Sequence, residues 1–158
     1  MSQAAWISRA QGPAAWGNLA TLLKNFINMC FTAVGGAKGT NAATVKTSNT
    51  ATYICNGIQC SKGGTDNIAV PAGTVVPISS FCKFLVSLNA AGTFTVTQGV
   101  PAATAALALL PDCPALNTPV FYFQTATDDD TFTPGTDSTD TEGITTTFVD
   151  LGCMPDGL

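Results

Sequence analysis

The chain has 158 residues, only 10% of them charged against 46% hydrophobic, with a net charge of −4 and no histidine. That length suits one domain with an appended arm, and the charge content is well below the usual quarter, so a lone monomer could barely cover its surface with polar groups. The absence of histidine excludes a Ser-His-Asp or Cys-His relay in this chain and removes the commonest zinc ligand.

Residues 1–16 form an Ala-rich segment holding Trp6 and Trp16, which are costly to leave in water and call for burial against a partner or the body. From 18 to 34 the spacing predicts an amphipathic helix. Asn18 is its N-cap, Leu19, Leu22, Leu23, Phe26, Ile27, Cys30 and Val34 its apolar face, and Gly35-Gly36 its end. Residues 1–36 therefore read as an arm, and 37–158 as a β domain. Trp6, Trp16, Leu19, Leu22, Leu23, Phe26 and Ile27 are the candidate assembly contacts. This stretch is interrupted by Lys24, Asn25 and Asn28 and is too short for a membrane span.

From Thr40 onward the pattern changes to strands and turns. The chain holds 24 Thr but only 8 Ser, and threonine's branched Cβ favours the pleated sheet. "TATYICNG" (50–57) turns into "IQCS". "NIAVPAGTVVP" (67–77) is broken by Pro71 and Pro77, which cannot donate to a ladder. "FCKFLVSLN" (81–89) is the best central strand, and a short "AAG" loop joins it to the alternating "TFTVTQG" as a hairpin. "AALALLP" (105–111) reads as a strand or a short turn of helix. "PVFYFQTAT" (119–127) is a strand, "TFTPGT" (131–136) a turn and "GITTTFVDL" (143–151) the last strand. The expected fold is mainly β: an antiparallel β-sandwich or jelly-roll-like body with one N-terminal amphipathic helix.

The charges are unevenly divided. Residues 1–83 carry all six basic residues and one acid, and residues 84–158 carry nine acids and no base. Scattered solvated charge is the plain reading. Head-to-tail complementarity between subunits is the sharper one. The basic residues never cluster, so nucleic acid is not an expected partner. The acids of "DDD" (128–130) and "DSTDTEG" (137–143) do not have EF-hand spacing and read as a solvated rim. "GGAKGT" lacks the residue order of a phosphate loop. No cofactor or metal is expected.

Six cysteines contain no Cys-x-x-Cys pair. Cys55 and Cys60 flank "NGIQ" and are candidates for a bridge across a hairpin. Cys113 and Cys153 are a second candidate pair, within the chain or between subunits, while Cys30 and Cys82 read as buried small hydrophobes.

The phrases "ATVKTSNTATYICNGIQCSKGGTDNIAVPAGTVVP", "SFCKFLVSLNAAGTFTVTQG", "FYFQTAT", "TFTPGT" and "GITTTFVDL" resemble a set of small structural proteins of tailed bacteriophages, over about residues 42–151. The extra cysteines and the Trp-containing arm depart from that set. The resemblance implies a non-enzymatic virion protein made in the host cytoplasm. A capsid decoration (cement) protein is the first choice, with the phage major capsid protein and copies of itself, as a homotrimer, for partners. A tail or baseplate component, or a carbohydrate- or receptor-binding module presenting Tyr53, Phe121 or Tyr122, is the alternative. No nucleic acid or membrane partner is implied.

Overall fold

A computed structural model describes residues 28–152. Among these described residues ten strands run in the order β1 (Met29–Cys30), β2 (Gly36–Lys38), β3 (Thr44–Thr47), β4 (Ala51–Cys55), β5 (Ile58–Lys62), β6 (Thr65–Ala69), β7 (Ser80–Asn89), β8 (Phe94–Gln98), β9 (Asn117–Thr127) and β10 (Ile144–Asp150). They form three antiparallel sheets, ordered β1-β4-β5, β2-β3-β6 and β10-β9-β7-β8.

The four-stranded sheet carries the core. One face of β7 presents Cys82, Phe84, Val86 and Leu88, all buried. Phe84 lies opposite Phe123, and Phe123 lies opposite Phe148. The Phe84 and Phe123 rings stack at 4.7 Å, and Phe132 meets Phe84 edge-on at 5.8 Å, the offset and T-shaped geometries that aromatic quadrupoles favour. Val34, Val45, Tyr53, Cys55 and Ile68 from the two smaller sheets and their loops join the same cluster. The core therefore lies between the four-stranded sheet and the pair of three-stranded ones.

Polar bonds tie the layers at fixed points. Thr118 Oγ1 donates to Ile54 O at 2.6 Å and Tyr53 Oη to Asn89 O at 2.8 Å. At Val120 the β7–β9 register shifts, since Val86 faces Phe121 while Ser87 faces Pro119. A proline cannot donate there, and the bulge absorbs the extra residue. The freed Val120 carbonyl accepts from Leu151 N at 3.0 Å.

Two expectations about the N-terminal part are corrected. The predicted helix over 18–34 does not reach its end: Met29–Cys30 is a strand paired with Tyr53 and Ile54, and residues 31–34 are not helical. Its residues 18–27 lie outside the described residues. The β-body also begins before residue 37, because β1 and β2 belong to its sheets. Local spacing suited a helix, but cross-strand pairing with the distant β4, Cys30 opposite Tyr53, captures Cys30 instead. The glycines that were to end the helix have another role. Gly35 adopts a left-handed backbone, φ 63°, and the amides of Gly35 and Gly36 both donate to the Asp150 carboxylate, at 3.0 and 3.1 Å. Consecutive N–H groups converging on one anion form a backbone nest. A Cβ at Gly36 would lie 2.6 Å from the Phe121 ring, so any larger residue there forces that ring to shift.

Candidate functional site

The stretch between β8 and β9 is rich in prolines: Pro101, Pro111 and Pro114 all lack an amide donor and prevent a further central strand. It folds back on β7 instead. Ala102 bridges Phe81 through two 2.8 Å bonds, and Gly99 N donates to Lys83 O at 2.8 Å. Thr104 O then accepts from Leu107 N and Ala108 N, both at 3.1 Å, closing a single turn. Of the two forms expected for "AALALLP", a strand or a short turn of helix, no strand forms, and its first residues close one short turn.

That turn buries Ala108 completely and sends its neighbours outward. Leu107 is 66% exposed, Leu109 72% and Val100 79%. With Leu110 and the flanking prolines they rim an open groove of about 520 Å³, which Gln98 and Asp112 also line. The wall beside it is held firmly. Gln98 Nε2 donates to Thr74 O at 2.6 Å and Thr74 N donates back to Gln98 Oε1 at 2.8 Å. Large apolar side chains gathered on one segment at this exposure make it the candidate interaction surface. Burying each contributes about 1.5–3 kcal/mol. The signal was present in the sequence, since an apolar run between Pro101 and Pro111 cannot turn every side chain inward.

The candidate assembly contacts Trp6, Trp16, Leu19, Leu22, Leu23, Phe26 and Ile27 lie outside the described residues, as does Cys153. The expected Cys55–Cys60 bridge is corrected: both thiols are free. Asn56 and Gly57, with φ of 52° and 78°, make a two-residue turn of the type that favours Asn-Gly. The closing pair is therefore Cys55↔Ile58, and Cys60 falls opposite Tyr53. A bridge of directly opposed cysteines needs a four-residue loop. Cys113 is also free; burial pushes its thiol up, against a lowering hydrogen bond with Ser87. Burial likewise raises the Cys82 thiol, opposed by hydrogen bonds with Gln98 and Gly99.

Of the three aromatic residues considered for sugar stacking, Tyr53 and Phe121 are fully buried and present no face to a ligand. Tyr122 is half-buried, with the Lys83 ammonium 6.0 Å from its ring centre. The acids are engaged locally. Thr131 N donates to Asp130 at 2.7 Å and Thr133 N to Asp137 at 2.6 Å. Asp140 accepts from Ser138 and Lys38, which hold its carboxyl below the usual range, Lys38 foremost. Among the described residues no group of three or more Cys, Asp or Glu side chains is arranged to hold a metal ion, and no helix is long and apolar enough to cross a membrane. The Lys38–Asp140 pair joins the basic and acidic halves within one chain. It is solvent-exposed, and such pairs contribute little.

No protein-family model, curated protein or solved structure matches this chain.

Proposed function

We propose that the chain is a virion structural protein of a tailed bacteriophage: a capsid decoration (cement) protein that binds the assembled head and stabilises it without catalysis. The observation that carries this reading is the exposed ridge of Val100, Leu107, Leu109 and Leu110 on a buttressed loop, in a chain with so few charges. A weakly charged β-body with such a ridge is suited to burial in an assembly. In this reading the three antiparallel sheets form a sandwich-like body, and copies associate as a cyclic homotrimer, an ordinary solution for symmetric positions on a lattice. The ridge is where the body meets neighbouring subunits on the head, and the N-terminal arm adds contacts to the major capsid protein. A site shared by several capsid subunits exists only after assembly, so occupancy stabilises the assembled state by mass action. The protein is made in the host cytoplasm and ends in the virion.

Electron microscopy of purified particles labelled with antibody against this chain tests the proposal. Label distributed over the head supports it. Label confined to the tail, or particles that carry none of the chain, refutes it.

A further inference from the structure

Two thiols from distant parts of the chain bond to the same short segment at the start of β9. Cys55 ends β4, and Cys113 lies in the loop that carries the apolar ridge. Cys55 Sγ donates to Leu116 O at 3.0 Å, and Cys113 Sγ donates to Asn117 O at 3.5 Å. The two acceptors are carbonyls of consecutive residues. Leu116 holds a left-handed backbone, φ 62°, an uncommon conformation for leucine, and it sets where those carbonyls point. An open cleft of about 420 Å³ reaches the same place, lined by Cys55, Asn56, Asn89 and Leu116 among others. After burial, the neighbouring Cys55 is a further cause raising the Cys113 thiol, as two thiols in one neighbourhood require.

We propose that Cys55 and Cys113 form a redox staple, closed by a small-molecule disulfide of the glutathione class that reaches the partly exposed Cys113 from solvent. The Cys113 thiolate attacks one sulfur of the reagent, whose S–S bond breaks and releases one small thiolate. The thiolate of the buried Cys55 then attacks Cys113 Sγ of the mixed disulfide and expels the second. Two protein thiols lose two hydrogens, and one small disulfide becomes two small thiols. Closure needs the two α-carbons within about 7 Å, so each sulfur leaves its carbonyl and the loop supplies the movement. Residues 109–114 have no regular secondary structure, so a shift of Cys113 breaks no ladder hydrogen bond. The bridge ties the ridge-bearing loop to β4, and its chemistry is independent of the virion reading.

The full chain is incubated with oxidised glutathione or with a reductant, alkylated, and mapped by non-reducing digestion and mass spectrometry. Trypsin separates Cys55 from Cys113 at Lys62 and Lys83, and cleavage at Asp128 separates Cys113 from Cys153. The expected product links the Cys55 and Cys113 peptides and persists in C60S, which removes the neighbouring thiol on the Cys55 peptide. Oxidation is expected to raise the Tm by about 5–10 °C, and this rise vanishes in C55S and in C113S, each compared with its own reduced form. The proposal is overturned if Cys55 and Cys113 stay alkylatable or stop at glutathione adducts. It is equally overturned if Cys113 is found joined to Cys153, or if the link is lost in C60S.

Discussion

Replacing Asp150 tests the clamp that joins the two ends of the β-body. Its carboxylate accepts from Gly35 N at 3.0 Å and Gly36 N at 3.1 Å, and it sits half-buried at the end of β10. A hydrogen bond to a charged group contributes about 1.5–3 kcal/mol. Two such bonds, discounted for partial exposure, put Asp150→Ala at about 3 kcal/mol. Asp150→Asn keeps one acceptor oxygen but turns an NH₂ donor toward the second amide, so about 2 kcal/mol is expected. In urea the midpoint should fall with an unchanged m-value, because the folded and unfolded surfaces are nearly the same. Thermal unfolding should drop by roughly 4–10 °C. Hydrogen exchange gives a local reading, since the Gly35 and Gly36 amides should exchange faster in both variants. Losses under about 0.5 kcal/mol with unchanged exchange at these two amides would refute the reasoning.

Other substitutions and conditions probe different parts of the account. Phe132→Ala empties a fully buried ring site against Phe84 and should cost about 3–5 kcal/mol by chemical denaturation; a cost under 1 would mean that the ring is not part of the core. Gly36→Ala drives a methyl to 2.6 Å from Phe121, a ring that is itself fully buried, and should cost about 1–3 kcal/mol, whereas Gly57→Ala meets nothing within 4 Å and should lose stability only through its positive φ. Burial foremost, then the Cys60, Cys55 and Cys30 thiols, raise the Tyr53 phenol above its ordinary value. The folded state therefore favours neutral Tyr53, and this stability is complete below the ordinary tyrosine pKa of about 10 and is lost as pH rises through the higher folded value. Phenolate absorbance from Tyr53, isolated with a Tyr122→Phe variant, should appear together with alkaline unfolding and not before it.

The β7–β8 hairpin, β9 and β10 were legible because each announces itself locally, through period-two alternation and a short Gly-containing loop or Pro-Gly turn. What was missed depended on partners far away in sequence. Cys30 sits at helical spacing from Phe26 and Ile27, yet it pairs with Tyr53. Cys55 and Cys60 flank a turn, yet Asn-Gly supplies a two-residue loop and moves the register to Ile58. Phe132 lies in a turn-like phrase, but Val76 bridges it and the core takes its ring. Asp150 ends the last strand, and only the fold brings Gly35 and Gly36 to it. The apolar ridge was written in the sequence as an apolar run between prolines, but its direction follows from Ala108 being the one residue of that turn that packs inward.

Occupancy on the particle tests the central claim most directly: the ratio of this chain to major capsid protein on purified virions, for wild type and for a Leu107→Asp/Leu109→Asp variant with an unchanged urea midpoint. Loss of two buried leucines from the interface predicts a fall in occupancy of at least about tenfold at limiting protein. Equal occupancy by the folded variant would contradict the assignment of the ridge as the assembly surface.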